Sequence, residues 1–277
     1  MMKRYLGIFL LGLTIGLPAT THAWGYAGML RKGFHIGVSG SANSTWIFNQ
    51  NNYNTLNLFH IPIVRQSEMD YSFTWGGMVG VNVGYNFHPN LGIQFEPNYC
   101  FGGQKYDDNF VGGVDFSNPL SPYYAPDGEY VNVKRKITMQ FIQLPLHLKY
   151  QTQIGDEANY YILLGPQANI RTIATEEVKI KNIPYNPGPP IGLTTDQRFK
   201  KFDVGVSLGT GVDIYPKDWF YFNLGITSYF GITDINGSFM KGIEWYSKND
   251  VKYQSSHVFY VGLHVGCHFY LGQDWGY

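Results

Sequence analysis

Nine ionisable residues fall on the polar side of alternating stretches of this sequence: His35, Glu96, His147, Lys149, Arg171, Asp203, Asp213, His264 and His268. Histidines beside carboxylates are the raw material of general acid–base catalysis. His35, His264 and His268 could also be read as metal ligands. Both readings meet obstacles of spacing. His264 and His268 are four residues apart, about 13 Å on a strand at ~3.3 Å per residue, too far for one ion to be held directly by both. The serines and threonines that share a parity with a histidine are spread over different stretches, and neither G-x-S-x-G nor H-E-x-x-H occurs. The expected role of the nine is structural: charges in a narrow interior that pair with one another and fill it. No cofactor is called for.

The elements that must carry these residues are strands. In the run from Phe34, one parity reads Phe34, Ile36, Val38, Gly40, Ala42 and the other His35, Gly37, Ser39, Ser41, Asn43. From Phe73 the apolar parity is Phe73, Trp75, Val79, Val81, Val83, Tyr85, Phe87. Further runs begin near Leu91, Val131, Tyr160, Lys201, Trp219 and Val258, which makes eight candidate strands. Many are two to three times the usual ~5–6 residues. Long polar connections at about 49–71, 103–130, 176–200 and 233–256 alternate with short turns at 88–90, 151–158 and 215–218. Eight antiparallel strands with short turns on one side and long loops on the other outline an outer-membrane barrel, with the short turns and both termini in the periplasm. There is no internal repeat and no linker, so one domain is expected.

Alternation alone does not separate a membrane barrel from a soluble one, but the polar face does. A soluble barrel should carry Lys and Glu outward. Here the sixth run has Asp203, Gly205, Ser207, Gly209, Gly211, Asp213 on one parity and Phe202, Val204, Val206, Leu208, Thr210, Val212, Ile214 on the other. Small polar residues suit a cramped lumen and large apolar ones suit lipid. Phe34, Phe87, Tyr215, Trp219, Phe220 and Phe269 cluster near strand ends, as interface girdles do. Charged residues make up only 14% against ~25% in ordinary globular chains, and aromatics reach 17%. Zero net charge gives no electrostatic case for nucleic acid. No segment after the N-terminus has 18 consecutive apolar residues. Lys3 and Arg4, the apolar run Tyr5–Leu17 and the small-residue site Thr21-His22-Ala23 read as a cleaved secretory signal over 1–23, leaving a barrel domain over 24–277.

One stretch departs from strict alternation. In M-Q-F-I-Q-L-P-L-H-L-K-Y, residues 139–150, the apolar parity slips at Phe141-Ile142 and a proline sits inside the strand. A proline removes one backbone donor and marks a bulge or an edge. A closed barrel has no edge, so we expect a bulge. Ile137, Met139 and Phe141 would then face lipid before it, and Ile142, Leu144, Leu146 and Leu148 after it. Gln143, Pro145, His147 and Lys149 would turn inward. Pro97 and Pro166 in the neighbouring runs point to irregular pairing there as well. The alternative is that the prolines face short water-filled gaps with no bulge.

With these residues in view the sequence resembles the PorT-like outer-membrane barrel proteins of Bacteroidetes. The resemblance rests on F-I-Q-L-P-L-H-L-K-Y, L-G-I-Q-F-E-P-N-Y, G-Y-N-F before a short turn, and a loose Gly33-x-x-x-Gly37 start. It implies an eight-stranded barrel in the outer membrane. For most members it implies no known activity, and a few are linked to the type IX secretion system. No functional residue is carried over.

The expected functional surface is then the long loops, within a non-enzymatic barrel surrounded by outer-membrane lipid and open to protein partners in an envelope complex. Segment 103–130 offers Tyr106, Asp107, Asp108, Phe110, Tyr123, Tyr124 and Asp127, aromatics and carboxylates suited to protein or glycan contact. The alternatives are a lipid- or peptide-modifying barrel enzyme and a narrow channel. Two finer expectations follow from strand order. Arg171 and Asp203 should pair across neighbouring strands. Cys100 and Cys267 should stay unpaired, because their strands are not neighbours in a closed barrel.

Overall fold

The structure is a computed structural model that describes residues 30–50, 69–111, 130–155, 157–185, 195–237 and 253–271. The expected signal segment 1–23 lies outside them. The strands are β1 (Gly33–Phe48), β2 (Asp70–Ser72), β3 (Trp75–His88), β4 (Leu91–Phe95), β5 (Asn98–Val111), β6 (Tyr130–Gln153), β7 (Ala158–Ile180), β8 (Ile183–Tyr185), β9 (Phe202–Lys217), β10 (Phe220–Gly231) and β11 (His257–Leu271). A helical turn, α1 (Thr195–Arg198), precedes β9.

Antiparallel pairing runs β1–β3, β3 to β4 and β5, both of these to β6, then β6–β7–β9–β10–β11, and β11 returns to β1 with Phe34 opposite Leu271. Because β4 and β5 form one interrupted wall, the ring has the eight walls that the periodicity predicts. The extra strands are short additions near the extracellular end, β2 on β5 and β8 on β7. The β7–β8 turn is Lys181-Asn182, with φ of 52° and 62°, the left-handed pair that a tight two-residue hairpin requires.

The slip at Phe141-Ile142 has a different meaning from the one expected. Along β6 the odd-numbered residues from Val133 to Gln151 are buried and the even-numbered ones are exposed or partly exposed, without interruption. Ile137, Met139 and Phe141 therefore point into the barrel, not into lipid, and there is no bulge doublet. What changes is the chemistry on each side. Below the switch, Gln143, His147, Lys149 and Gln151 face inward while Ile142, Leu144, Leu146 and Leu148 face lipid. Above it, Val133, Ile137, Met139 and Phe141 face inward while Lys134, Lys136, Thr138 and Gln140 face outward. The outer solvent is lipid below and water above, so hydrophobic burial selects opposite parities in the two halves.

The bulge exists, but on the facing strand. Gln140 opposes Ile173 and Phe141 opposes Arg171, which leaves Thr172 of β7 as the extra residue. Beyond it Ala174, Val178 and Ile180 face inward and Thr175, Glu177 and Lys179 outward, the same inversion as in β6. β6 and β7, at 24 and 23 residues, are about twice the ~9–11 that a tilted membrane strand needs, so their upper halves stand clear of the bilayer. Two segments expected to be loops are accordingly strand over part of their length: β5 continues to Val111 and β7 to Ile180. The inner face of this tall wall is covered by Ile47, Met69, Phe199 and Ile235, which complete an apolar core at the extracellular end.

Pro97 and Pro145 are accommodated without a bulge. Phe95 and Asn98 keep one register against both β3 and β6 across the break at Glu96-Pro97. Glu96 N–H donates to the Pro145 carbonyl at 3.2 Å and Val81 N–H to the Pro97 carbonyl at 3.1 Å. Pro97 and Pro145 thus lose their donor yet keep their acceptor in use, with no bulge. Irregular pairing does extend across these walls, because the β6–β7 ladder also skips Leu146 and His147 opposite Pro166 and Gly165. The aromatic girdle holds at Phe34, Phe87, Trp219 and Phe269, which are exposed, with Trp219 stacked on Phe269 at 5.9 Å. Tyr215 is the exception. It is buried and stacks on Tyr221 inside the lumen.

Candidate functional site

All nine ionisable residues expected in the lumen are there and buried. Local sequence explains how such large groups fit. A Cβ on Gly84 would lie 2.2 Å from the ring of His35, and one on Gly225 would lie 2.2 Å from the hydroxyl of Tyr161. Glycines on the inner parity leave the volume that a histidine from the neighbouring strand and a tyrosine from two strands away fill.

In the lower half, Lys149 of β6 reaches over β7 to Asp213 of β9, with Nζ to Oδ2 at 2.6 Å. Asn223 donates to the other carboxylate oxygen at 2.8 Å and Tyr161 donates to Asn223 at 3.1 Å. The ammonium also lies over the rings of Tyr161 and Tyr221, at 5.5 and 5.1 Å. Tyr221 then joins the histidines. Its hydroxyl is 3.1 Å from His35 Nδ1 and its ring stacks on His268 at 4.5 Å. Asn82 contacts His268 Nε2 at 3.3 Å. Among the described residues, no group of three or more His, Cys, Asp or Glu is placed to hold a metal ion.

A second cluster has the outline of a nucleophilic triad. His147 Nε2 is 2.7 Å from Ser207 Oγ, and its Nδ1 is 3.9 Å from Glu96 Oε2, with Gln94 donating to the other Glu96 oxygen. The geometry fails the role in two ways. The histidine–carboxylate distance exceeds a hydrogen bond, and Ser207 is 1% exposed, so no carbonyl could reach its oxygen without opening the wall. These are polar groups packed in the interior and closed to substrate.

Arg171 and Asp203 do not pair. Asn169 is the residue opposite Asp203, which places Arg171 two positions further up the wall. Arg171 donates to the carbonyls of Phe199 and Lys200 at 3.1 and 3.2 Å. Asp203 accepts from Asn169, Tyr229 and Thr233 at 3.2, 2.7 and 2.7 Å.

The most strongly ionic site escaped the sequence reading. Glu176 of β7 takes both Arg135 of β6 and Arg198 of α1, with all three side chains at most 3% exposed. Arg135 also donates to the Gln50 carbonyl at the end of β1, and Gln50 donates to Asn236 and Ser256 at 2.7 Å each. This network ties six chain segments together at the extracellular end. Arg135 shares inward parity with Ile137 and Met139, so reading that half as lipid-facing concealed it.

Of the expected partner-binding residues, Tyr106 belongs to the core instead. It is 1% exposed, donates to the Ile47 carbonyl at 2.9 Å and lies under the Arg135 guanidinium. Asp107 points outward and accepts from Asn132 at 2.7 Å. Asp108 and Phe110 are in β5, paired with Val133 and Val131, and their side chains lie outside the described set. Tyr123, Tyr124 and Asp127 lie outside the described residues. Near Cys100 a cavity of about 10 Å³, lined by Thr45, Met139, Phe141 and Tyr260, has room for about one water.

Solved structures of several bacterial surface proteins are similar to this chain. Neisserial surface protein A is 12% identical, with 86% of this chain and 97% of that chain covered at a TM-score of 0.41. OprG from Pseudomonas aeruginosa is 10% identical, with 88% and 100% covered at 0.38. The N-terminal barrel of OprF from the same organism is 10% identical, with 86% and 100% covered at 0.35. No curated protein matches the sequence. A family model does match, over residues 21–237, and on that span the chain belongs to the outer membrane protein beta-barrel domain family.

Proposed function

We propose that this outer-membrane barrel is not an enzyme but a scaffold or binding component that engages a protein partner at the cell surface. The carrying observation is the tall β5–β6–β7 wall, whose upper half is built like a soluble protein, apolar within and polar without. A barrel that only crossed the membrane would need about half those residues. The buried Glu176 network stiffens the same end. Two rival roles have less support. The interior is filled by large buried side chains, which opposes a channel. Ser207 is sealed from any substrate, which opposes a hydrolase.

The resemblance to PorT-like proteins makes a type IX secretion complex the first assembly to test. The experiment is a pull-down with the tagged full chain from detergent-solubilised outer membranes. A stoichiometric envelope protein that is lost when segment 112–129 is replaced supports the proposal. Absence of a stable partner, with altered lipid composition in a deletion strain, would instead support a lipid-modifying enzyme. Unitary conductance in a planar bilayer would support a channel.

A further inference from the structure

At the extracellular end of β10 and β11 a serine and a histidine meet on the outer side of the wall. Ser255 Oγ is 3.0 Å from His257 Nε2, and His257 Nδ1 is 3.0 Å from the Gly231 carbonyl oxygen. The partners fix the tautomer. A carbonyl oxygen only accepts, so Nδ1 carries the proton and Nε2 presents its lone pair to the serine hydroxyl. In this arrangement a histidine takes the proton of a nucleophile, with a backbone carbonyl in the place of the orienting carboxylate. Ser207 and His147 make the same contact but are sealed inside the barrel, whereas Ser255 and His257 are both partly exposed.

The surroundings say which electrophile such a serine would meet. The His257 ring stacks on Phe230 with centroids 6.1 Å apart, and Phe48 stands opposite His257 in the β1–β11 register. One outward position lower, Phe259 packs on Phe48 and on Trp46 at 6.1 and 5.4 Å. Below these rings the outward residues Leu224, Ile226, Leu263 and Val265 are exposed and apolar. The pair therefore sits at the top of an aromatic tier, where hydrocarbon gives way to polar groups. The ester carbonyls of an acylated lipid lie at that same level, between chain and headgroup.

The geometry points to Ser255 as a nucleophile that accepts an acyl group from an ester-linked lipid, with His257 as its base. The serine oxygen bonds to the ester carbonyl carbon while its proton passes to His257 Nε2. The bond from that carbon to the lipid's alkoxy oxygen then breaks, and the proton moves from Nε2 to that oxygen. The products are O-acyl-Ser255 and a lipid with one free hydroxyl. The Nδ1 proton stays on the Gly231 carbonyl and keeps the imidazolium oriented. Asn49 donates one amide hydrogen to the Ser255 carbonyl at 2.7 Å, and its second amide hydrogen is a donor for the negative charge that develops on the attacked carbonyl. The acyl chain would lie along Phe230 and Phe259 and tie the rim to the leaflet. This modification goes beyond the partner-binding role and does not depend on it.

The test uses the full chain folded in detergent micelles, with heat-dependent gel mobility confirming the fold of each variant. It is offered a diacyl phosphatidylethanolamine in the same micelles or the short soluble ester p-nitrophenyl butyrate. Peptide mass spectrometry reads the acyl adduct. The wild type and S72A, which removes a partly exposed serine of β2, should carry one acyl group on Ser255 from either donor. S255A should stay unmodified, and acylation of H257Q should be slower by about a hundredfold or more, the contribution of a positioned base. Equal rates in the wild type and H257Q, or adducts on other hydroxyls with Ser255 bare, overturn the inference. Acylation by the butyrate ester alone overturns the lipid assignment. Repeated release of fatty acid that is lost in S255A supports the nucleophile and overturns the non-enzymatic reading of the barrel.

Discussion

Lys149 Nζ lies 2.6 Å from Asp213 Oδ2, and the pair spans from β6 to β9 over the intervening strand β7. Both side chains are at most 2% exposed, so neither charge has water as an alternative partner. The pair is therefore an all-or-nothing device. Its two desolvation penalties are offset only while both members are present.

Removing one member should consequently cost more than removing both. Lys149→Met leaves Asp213 as a buried carboxylate with only Asn223 to bind it, and a loss of about 3–5 kcal/mol is expected. The double variant K149M/D213L should recover most of that loss. Denaturant unfolding in micelles, followed by heat-dependent mobility, reads both. A double variant as unstable as the single one would show that the charges matter individually rather than as a pair.

The inversion of polarity along β6 predicts opposite outcomes for lysine placed at two outward positions of the same strand. Leu146→Lys faces lipid in the lower half and should cost about 2–4 kcal/mol. Thr138→Lys faces water above the membrane and should change stability by less than about 0.5 kcal/mol. Met139→Lys, one residue further on, points into the apolar core and should be severely destabilising. A lysine at 138 as destabilising as one at 146 would place Thr138 inside the barrel and restore the slipped register that the sequence pattern suggests.

That slip shows where sequence reading succeeds and where it stops. Strand number, order and lumen residues were legible because each follows from a period of two inside a single solvent. His35, Lys149 and Asp213 were placed inward by parity alone, and they are inward. The error began at Phe141, where the outer solvent changes from lipid to water. There the apolar parity changes side while the backbone does not, and a one-dimensional pattern cannot tell this from a bulge. Arg135 escapes notice for that reason, whereas Tyr106 is taken for a loop residue because β5 runs on to Val111 as a strand. The failed Arg171–Asp203 pair has a different origin. Parity gives the face of a residue but not its rung, and two rungs of stagger separate these side chains.

The extracellular end should carry a pH dependence through Asp234. Burial alone would raise its carboxyl. The Tyr253 hydroxyl and the backbone N–H groups of Ser256 and Asn236 outweigh that and hold it below its ordinary 3.8. A lowered folded-state value means stabilisation that is complete above the unfolded value and lost as pH falls below it. Wild-type stability should therefore drop between about pH 4 and lower values, and Asp234→Asn should be less stable at pH 7 but should lose less on acidification. An equal acid response in both proteins would assign the effect to other carboxylates.

Cys100 and Cys267 should both be found as free thiols although the outer membrane faces disulfide-permissive compartments. Successive register partners connect them. Cys100 faces Met78 of β3, Met78 faces Ser41 of β1, and Ser41 faces His264 of β11, the strand that carries Cys267. Three strand spacings of ~4.8 Å put Cys100 roughly 14 Å from β11 at His264, and Cys267 lies three residues further along that strand, well beyond the ~7 Å Cα separation that a disulfide tolerates. They also point to opposite sides of the wall, Cys100 into the apolar half of the interior and Cys267 outward among Leu263, Val265 and Phe269. Alkylation of the unfolded, non-reduced protein should add two labels by mass. In the folded barrel a membrane-permeant reagent should modify Cys267 before Cys100, which is 2% exposed. Zero labels on the unfolded chain would mean that β5 and β11 are neighbours, and the ring order β1–β3–β5 would have to be abandoned.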